Sequence, residues 1–304
     1  MKKLLLSGIA FIALAVGPAL AADLPRKAPP PVAPLPPPAI WNGWYVGLNA
    51  GAGWNNNDFD NSEASFFCNP AGVPLTGCGS QGFIGVLGNR SIAAVGTGNK
   101  AGFIGGGQFG YNYQAPGSMW VWGFETDFQG ADIHRAGAVT STVDLHPAFN
   151  NTLTTTGVAS QRLNMLGTLR GRLGWTPSPP WLLYVTGGLA YGHVETSVGF
   201  TSHLSNALPG TGGLVNWADG SGFISKDDWR AGWTVGGGAE WMFAPRWSFK
   251  AEYLYYDLGH VNLNSEIDNF NPNGTRAFGF GVASQASNKG SIARAGINYH
   301  FGAY

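Results

Sequence analysis

From Gly43 to the end of the chain, apolar and polar side chains alternate with a period of two, the signature of strands that bury one face and present another. The alternation stops at two kinds of break. Three are short, at 115–118 (APGS), 176–180 (TPSPP) and 244–246 (APR), each flanked by aromatic, alternating sequence. Four are long and polar, at roughly 55–101, 132–161, 195–228 and 258–288. Short and long breaks alternate strictly and leave eight segments, at 43–54, 102–114, 119–131, 161–175, 181–194, 229–243, 247–257 and 290–301. Each is close to, or slightly above, the roughly 9–11 residues that a tilted strand needs to cross a bilayer. The pattern predicts an all-β protein, an eight-stranded antiparallel transmembrane up-and-down β-barrel with tight turns at one mouth and large loops at the other. The long first break leaves a ten-stranded alternative, with 82–95 as an extra hairpin.

The two faces differ in chemistry. One carries Trp120, Trp122, Phe124 and Phe128 in the third segment, Leu163, Met165, Leu169, Leu173 and Trp175 in the fourth, and Trp229, Trp233, Val235, Trp241 and Phe243 in the sixth. That face suits lipid, while the other carries glycine, amides, hydroxyls and the charges. A membrane helix over the uncharged stretch 101–124 fails on its seven glycines and on Gln108, Asn112 and Gln114. A soluble β-sandwich shares the alternation, but its strands average about 5–6 residues and need no aromatic residues at both ends of an apolar band.

The start of the chain reads differently. Lys2 and Lys3 precede an apolar core from Leu4 to Ala15, then Pro18 and Ala19-Leu20-Ala21. This predicts a signal peptide over 1–21, because the apolar core is too short for a spanning anchor and ends in a small-residue cleavage site. Residues 22–42 contain Pro29-Pro30-Pro31 and Pro36-Pro37-Pro38 and predict a stiff periplasmic linker ahead of a barrel at 43–304. A docking peptide for a periplasmic partner is the alternative for this leader. Loss of 1–21 leaves fifteen Lys and Arg against seventeen Asp and Glu, a formal charge of −2. Nucleic acid is excluded as a partner, since no basic stripe remains. Charged residues make up 11% of the chain, well below the ~25% of a soluble domain. The two cysteines, Cys68 and Cys78, fall in the first long break and are expected to form a disulfide in an oxidising compartment.

On the polar face of the segments lie Glu125, Asp127, Arg170, Arg172, Glu240, Lys250, Glu252 and Arg294, four acids against four bases. Such balance predicts an ionic network filling a narrow lumen, with a gate or ion path as the alternative. If 244–246 is a tight turn pairing Phe243 with Trp247, Glu240 stands opposite Lys250 as its expected ionic partner. Catalytic signals are weak: Asp144 with His146 and Asp257 with His260 lack a neighbouring nucleophile. His134, His146, His193 and His203 lack metal-ligand spacing, and no cofactor is expected.

The signal peptide running into ADLPRKAPP, then WNGWYVGLNAGAGW, GFIGGGQFGYNYQ, VWGFETDFQGA, LGTLRGRLGW and the ending GINYHFGAY together resemble the porin-like outer-membrane β-barrel proteins, major surface antigens of alphaproteobacteria. The resemblance spans essentially the whole mature chain and implies an eight-stranded barrel in the outer membrane, surrounded by bilayer and lipopolysaccharide. It also implies insertion by the barrel assembly machinery, which reads an aromatic final strand, here Ile297, Tyr299 and Phe301, although Gly302, Ala303 and Tyr304 follow. An eight-stranded ring is filled by its own side chains, whereas open channels need about 16–18 strands. The expected role is therefore a structural, surface-exposed envelope protein. A small-solute pore and an outer-membrane enzyme are the alternatives.

Overall fold

The computed structural model describes residues 39–55, 59–67, 90–92, 101–146, 151–205, 218–270, 272, 274 and 276–302. The strands are β1 (Gly43–Asn55), β2 (Phe59–Phe67), β3 (Arg90–Ile92), β4 (Gly102–Gln114), β5 (Trp120–His146), β6 (Asn151–Ser178), β7 (Trp181–Ser205), β8 (Ala218–Ala244), β9 (Trp247–Phe270) and β10 (Arg276–His300). β1 and β4 to β10 form an antiparallel sheet in chain order, and β1 pairs with β10 to close it into a ring of eight. Burial alternates along the strands, with β7 the clearest case: Leu182, Tyr184, Thr186, Ala190 and Val194 are buried, while Trp181, Leu183, Val185 and Leu189 are exposed. Pairing of β1 with β10 removes the two free edges that an open sheet would have.

β2 and β3 do not widen this ring. Along β10, Asn55 faces Gly290 and Phe59 faces Ala286, so β2 continues the line of β1 in the same register. β3 pairs with β2 on the side where β4 pairs with β1. The strand residues described within 82–95 therefore lie in the columns of the existing ring, which stays at eight. Cys68 and Cys78 lie outside the described residues.

The largest departure from expectation is strand length. β5 to β10 run 24 to 28 residues, more than twice a membrane crossing. Most of 132–161, 195–228 and 258–288, expected as loops, is a continuation of the barrel. The apolar outer face ends there, and with it the hydropathy signal, but a ladder needs only backbone pairing and residues that suit a pleat. Cross-strand hydroxyl pairs take over outside, Thr140 with Thr156 at 3.0 Å, Thr142 with Thr154 at 3.1 Å and Ser160 with Ser197 at 2.7 Å. Inside, Leu153, Val198, Phe200, Leu204, Val261 and Leu263 stay buried and fill the extension.

One stretch of wall is unpaired. β8 and β9 are in register at 219–221 with 268–270, and again from Trp233 opposite Asp257, but share no ladder between. β8 carries Lys226 and Asp228 exposed there despite their inward parity. Two side chains span the seam: Lys226 Nζ donates to the Asn262 carbonyl at 2.6 Å and Arg230 Nη1 to the His260 carbonyl at 3.2 Å. Gly259, at φ +78°, shifts β9 by a residue at the start of this seam.

The tight turns follow proline chemistry. In Ala115-Pro116-Gly117-Ser118 the Ser118 amide donates to the Ala115 carbonyl at 2.9 Å and Gly117 takes φ +77°, a type II turn with proline and glycine where that turn prefers them. The β8–β9 turn puts Arg246 at φ +83° after Pro245. It closes with Ala244 opposite Trp247 rather than Phe243, and a register shift restores Glu240 opposite Lys250.

Candidate functional site

The charged positions read from the sequence come together inside the ring. Glu125, Asp127, Arg170, Arg172, Glu240, Lys250, Glu252 and Arg294 are all buried. Arg170 sits at the centre: its Nη2 lies 2.5 Å from Glu125 and 2.9 Å from Asp127, and its Nη1 lies 2.7 Å from Glu252. Since Glu125 is its ladder neighbour on β5 whereas Glu252 belongs to β9, this guanidinium spans the lumen. Arg294 does the same from β10, at 2.7 Å from Asp127 and 2.6 Å from Glu252. Arginine suits these positions because its fixed fork of donors serves two carboxylates at once.

The expected Glu240–Lys250 ion pair is not formed, although the two residues face each other in the ladder. Lys250 Nζ instead crosses to Glu125, at 2.8 and 3.0 Å, with Glu252 at 3.7 Å. Glu240 takes Arg172 at 2.9 Å, the Ser248 hydroxyl at 2.5 Å and Asn298 Nδ2 at 2.6 Å. Register fixes which Cα atoms are opposite. In a narrow lumen, a lysine long enough to reach the far wall is free to choose a partner there.

Three residues join the site that charge alone did not reveal. Tyr45 donates to Glu125 at 2.8 Å and accepts from Arg172 at 2.6 Å. Tyr184 donates to Glu252 at 3.2 Å, and the Arg172 guanidinium carbon stands 3.9 Å from its ring centre. His300 lies 2.9 Å from the Ser248 hydroxyl. All three share the inward parity of their strands, which the sequence contained. Tyr45 is seated against Gly110, its ladder partner, where any Cβ would collide with the phenol.

Apolar side chains close both ends of this polar layer. At the turn end, Trp41, Val121, Leu182 and Tyr184 form a cluster with Ile40 and Met242 against it. Trp41 precedes β1, within the stretch expected as linker, yet is 0% exposed. Its amide donates to Gln114 Oε1 and its indole to the Pro179 carbonyl, both at 3.2 Å, so it ties two turns across the mouth. Toward the extension, Ile104, Ile133, Leu163, Leu166, Leu254 and Ile292 belong to a second cluster. Leu163, expected on the lipid face, points inward because a register shift between it and Met165 reverses the parity of β6.

The other candidates stay apart from this site. Asp257 accepts the Gly259 amide at 2.8 Å, which accounts for it as a turn residue beside the seam. Asp144 and His146 end β5, and their side chains lie outside the described residues. His134, His193 and His203 are near Asp132, Asp227 and Asp219 on the outer wall, and no metal-holding group occurs among the described residues. Ile297 and Phe301 are exposed on the outer face, with Tyr299 stacked edge-on between Trp247 and Phe301.

Residues 9–301 match the family described as outer membrane protein beta-barrel domain. The chain is 32% identical over 271 residues to the 31 kDa outer-membrane immunogenic protein of Brucella melitensis, covering 88% of this chain and 92% of that one. The same figures hold for the protein of that description from Brucella suis. Among solved structures, Neisserial surface protein A is 12% identical with TM-score 0.29, and OprG from Pseudomonas aeruginosa is 11% identical with TM-score 0.34. Each covers 85% of this chain and 97% of its own.

Proposed function

Because the chain belongs to the outer membrane protein β-barrel family, we propose that it is a structural, surface-exposed protein of the bacterial outer membrane whose lumen is filled rather than open. The observation that carries this reading is the Arg170 guanidinium, which bridges carboxylates on opposite walls and leaves the middle of the ring to side chains. An ionic layer of four acids and four bases holds the barrel together, and apolar clusters lie above and below it. The extension of the strands beyond the apolar band supplies the exposed surface, in keeping with relatives named as immunogenic outer-membrane proteins.

The same reading assigns 1–21 to a signal peptide, 22–42 to a periplasmic linker whose last residues tuck Trp41 into the mouth, and Cys68 and Cys78 to a disulfide in the first external connection. Ile297, Tyr299 and Phe301 serve the barrel assembly machinery as the terminal strand signal. No catalytic role is assigned. Planar-bilayer recording on purified protein tests the central point: the filled lumen gives no steady channel, and a large steady conductance would overturn it.

A further inference from the structure

Two hollows lie near each other on one part of the outer wall. β5 to β8 face outward there with rows fixed by the ladder. Thr156, Thr201 and Ser221 form a floor of small hydroxyl residues. Above it run Thr154, His203, Asp219 and Phe270, and the two together line a hollow of about 440 Å³. Below it, Ala138, Val158, Gly199 and Phe223 stand in one row. Ala136, Gly137 and Ala138 open a second hollow of about 430 Å³ on the lower side of that row. Phe223 is 72% exposed and stands between the hollows, each within the ~300–1,000 Å³ of small-molecule sites.

The chemistry of this face is specific. Hydroxyls, the His203 imidazole 2.5 Å from the Asp219 carboxylate, the carboxylate of Asp268 and two aromatic rings line the hollows, and neither contains Lys or Arg. A phosphate or uronic acid would find no guanidinium or ammonium group there to pair with. A neutral sugar ring suits both features. Its hydroxyls donate to carboxylates and exchange hydrogen bonds with threonines, and its C–H faces carry the partial positive charge that the negative face of an aromatic ring attracts.

Height identifies the source. Trp229 is the last aromatic of the apolar band on β8, with Lys226, Asp227 and Asp228 just above it. Phe223 is six residues further along and Asp219 ten, which at ~3.3 Å per residue and ~40° tilt places them about 15 and 25 Å above the band. The polar interface of a bilayer is roughly 5–8 Å deep on each side. The hollows therefore stand beyond the headgroups, on the same sheet face that meets the lipid below.

We propose that the outer wall around Phe223 and Asp219 is a binding face for neutral hexoses carried by the glycolipid of the surrounding outer leaflet. This rests on the outer-membrane reading and adds the ligand class and its site. The test is hydroxyl-radical footprinting of the full barrel in nanodiscs with lipopolysaccharide bearing neutral core hexoses, or with a deep-rough form lacking them. Oxidation of Phe223 should fall about threefold or more with the first and stay unchanged with the second. Crowding by sugars is separated from binding by Asp219→Ala, which leaves the crowding in place and should restore oxidation of Phe223. Equal oxidation in both lipids, or protection that survives Asp219→Ala, would overturn the proposal. So would protection that tracks the number of barrels per disc, since a second copy would then be the occupant. Heat-modifiable migration and bilayer conductance report the barrel and its filled lumen, so a failure of that reading is seen separately.

Discussion

Lys250 offers the sharpest test of how the lumen is held. Lys250→Met removes a buried cation that touches Glu125 at 2.8 and 3.0 Å and Glu252 at 3.7 Å. The layer then holds four acids against three bases. Removing one member of a buried pair usually costs about 3–5 kcal/mol, because the remaining charge has lost both water and partner. Arg170 still lies 2.5 Å from Glu125, which places the expected loss near the lower end of that range. The partner decides the rest. Glu125→Gln restores balance at the contact itself, so the double variant should recover about 1–3 kcal/mol relative to the sum of the single changes. Glu240→Gln also restores the balance of charge, but it takes the carboxylate from Arg172, leaves one oxygen where Arg172 and Ser248 each had their own, and relieves nothing at Glu125. Its coupling to Lys250 should be smaller by about 1 kcal/mol or more. Denaturant unfolding from lipid vesicles, followed by the heat-modifiable gel band, measures the unmodified protein and all five variants. Equal coupling to the two glutamates, or stronger coupling to Glu240, would refute the assignment of Lys250 to Glu125.

Arg246→Gly should stabilise the barrel by about 1 kcal/mol, because glycine carries no Cβ penalty at φ +83°; a lower unfolding midpoint would contradict the strain. Trp41→Ala should destabilise by about 3–5 kcal/mol in the same assay, as a fully buried aromatic does, and a neutral result would mean that the mouth collapses around the gap. Amides of β8 at 222–232 that point toward β9 should exchange hydrogen faster than those pointing toward β7, and uniform protection would show that the seam is closed in solution. An epitope inserted at Asn150 should be labelled on intact cells and one at Pro179 should not; labelling at Pro179 would invert the orientation.

The ring of eight, its closure and the positions of the tight turns were legible because alternation and the Pro-rich breaks report directly on backbone geometry. Strand length was not. Hydropathy marks where lipid ends, and Thr140, Thr142, Thr154 and Thr156 continue the sheet with hydroxyls on the outside, where an apolar-polar contrast has faded. The eight ionised residues of the lumen were legible by parity and by their balanced charge. Their pairing was not, since a ladder register determines neighbours along the wall whereas Arg170, Arg294 and Lys250 choose partners across it. Trp41 lay hidden among prolines, because nothing local in a linker distinguishes a tryptophan that packs from one that does not.

The division of the lumen into layers follows from what each kind of side chain can do in a space that narrow. A charge-balanced layer resists shear between opposite walls, because every guanidinium there holds carboxylates on more than one strand, but polar atoms attract water and make a poor seal alone. Asp127 Oδ1, Arg172 Nε and Arg294 Nη1 have no protein partner within the layer. Such buried groups hold ordered water where there is room for it. Apolar clusters have the opposite properties: the Trp41 and Leu182 group at one end and the Ile133 and Leu254 group at the other offer water no hydrogen bonds. The ionic layer thus sets the strength of the barrel and the apolar layers set its permeability. Loss of Lys250 weakens the first and leaves the second intact, so a barrel can become unstable without becoming a channel.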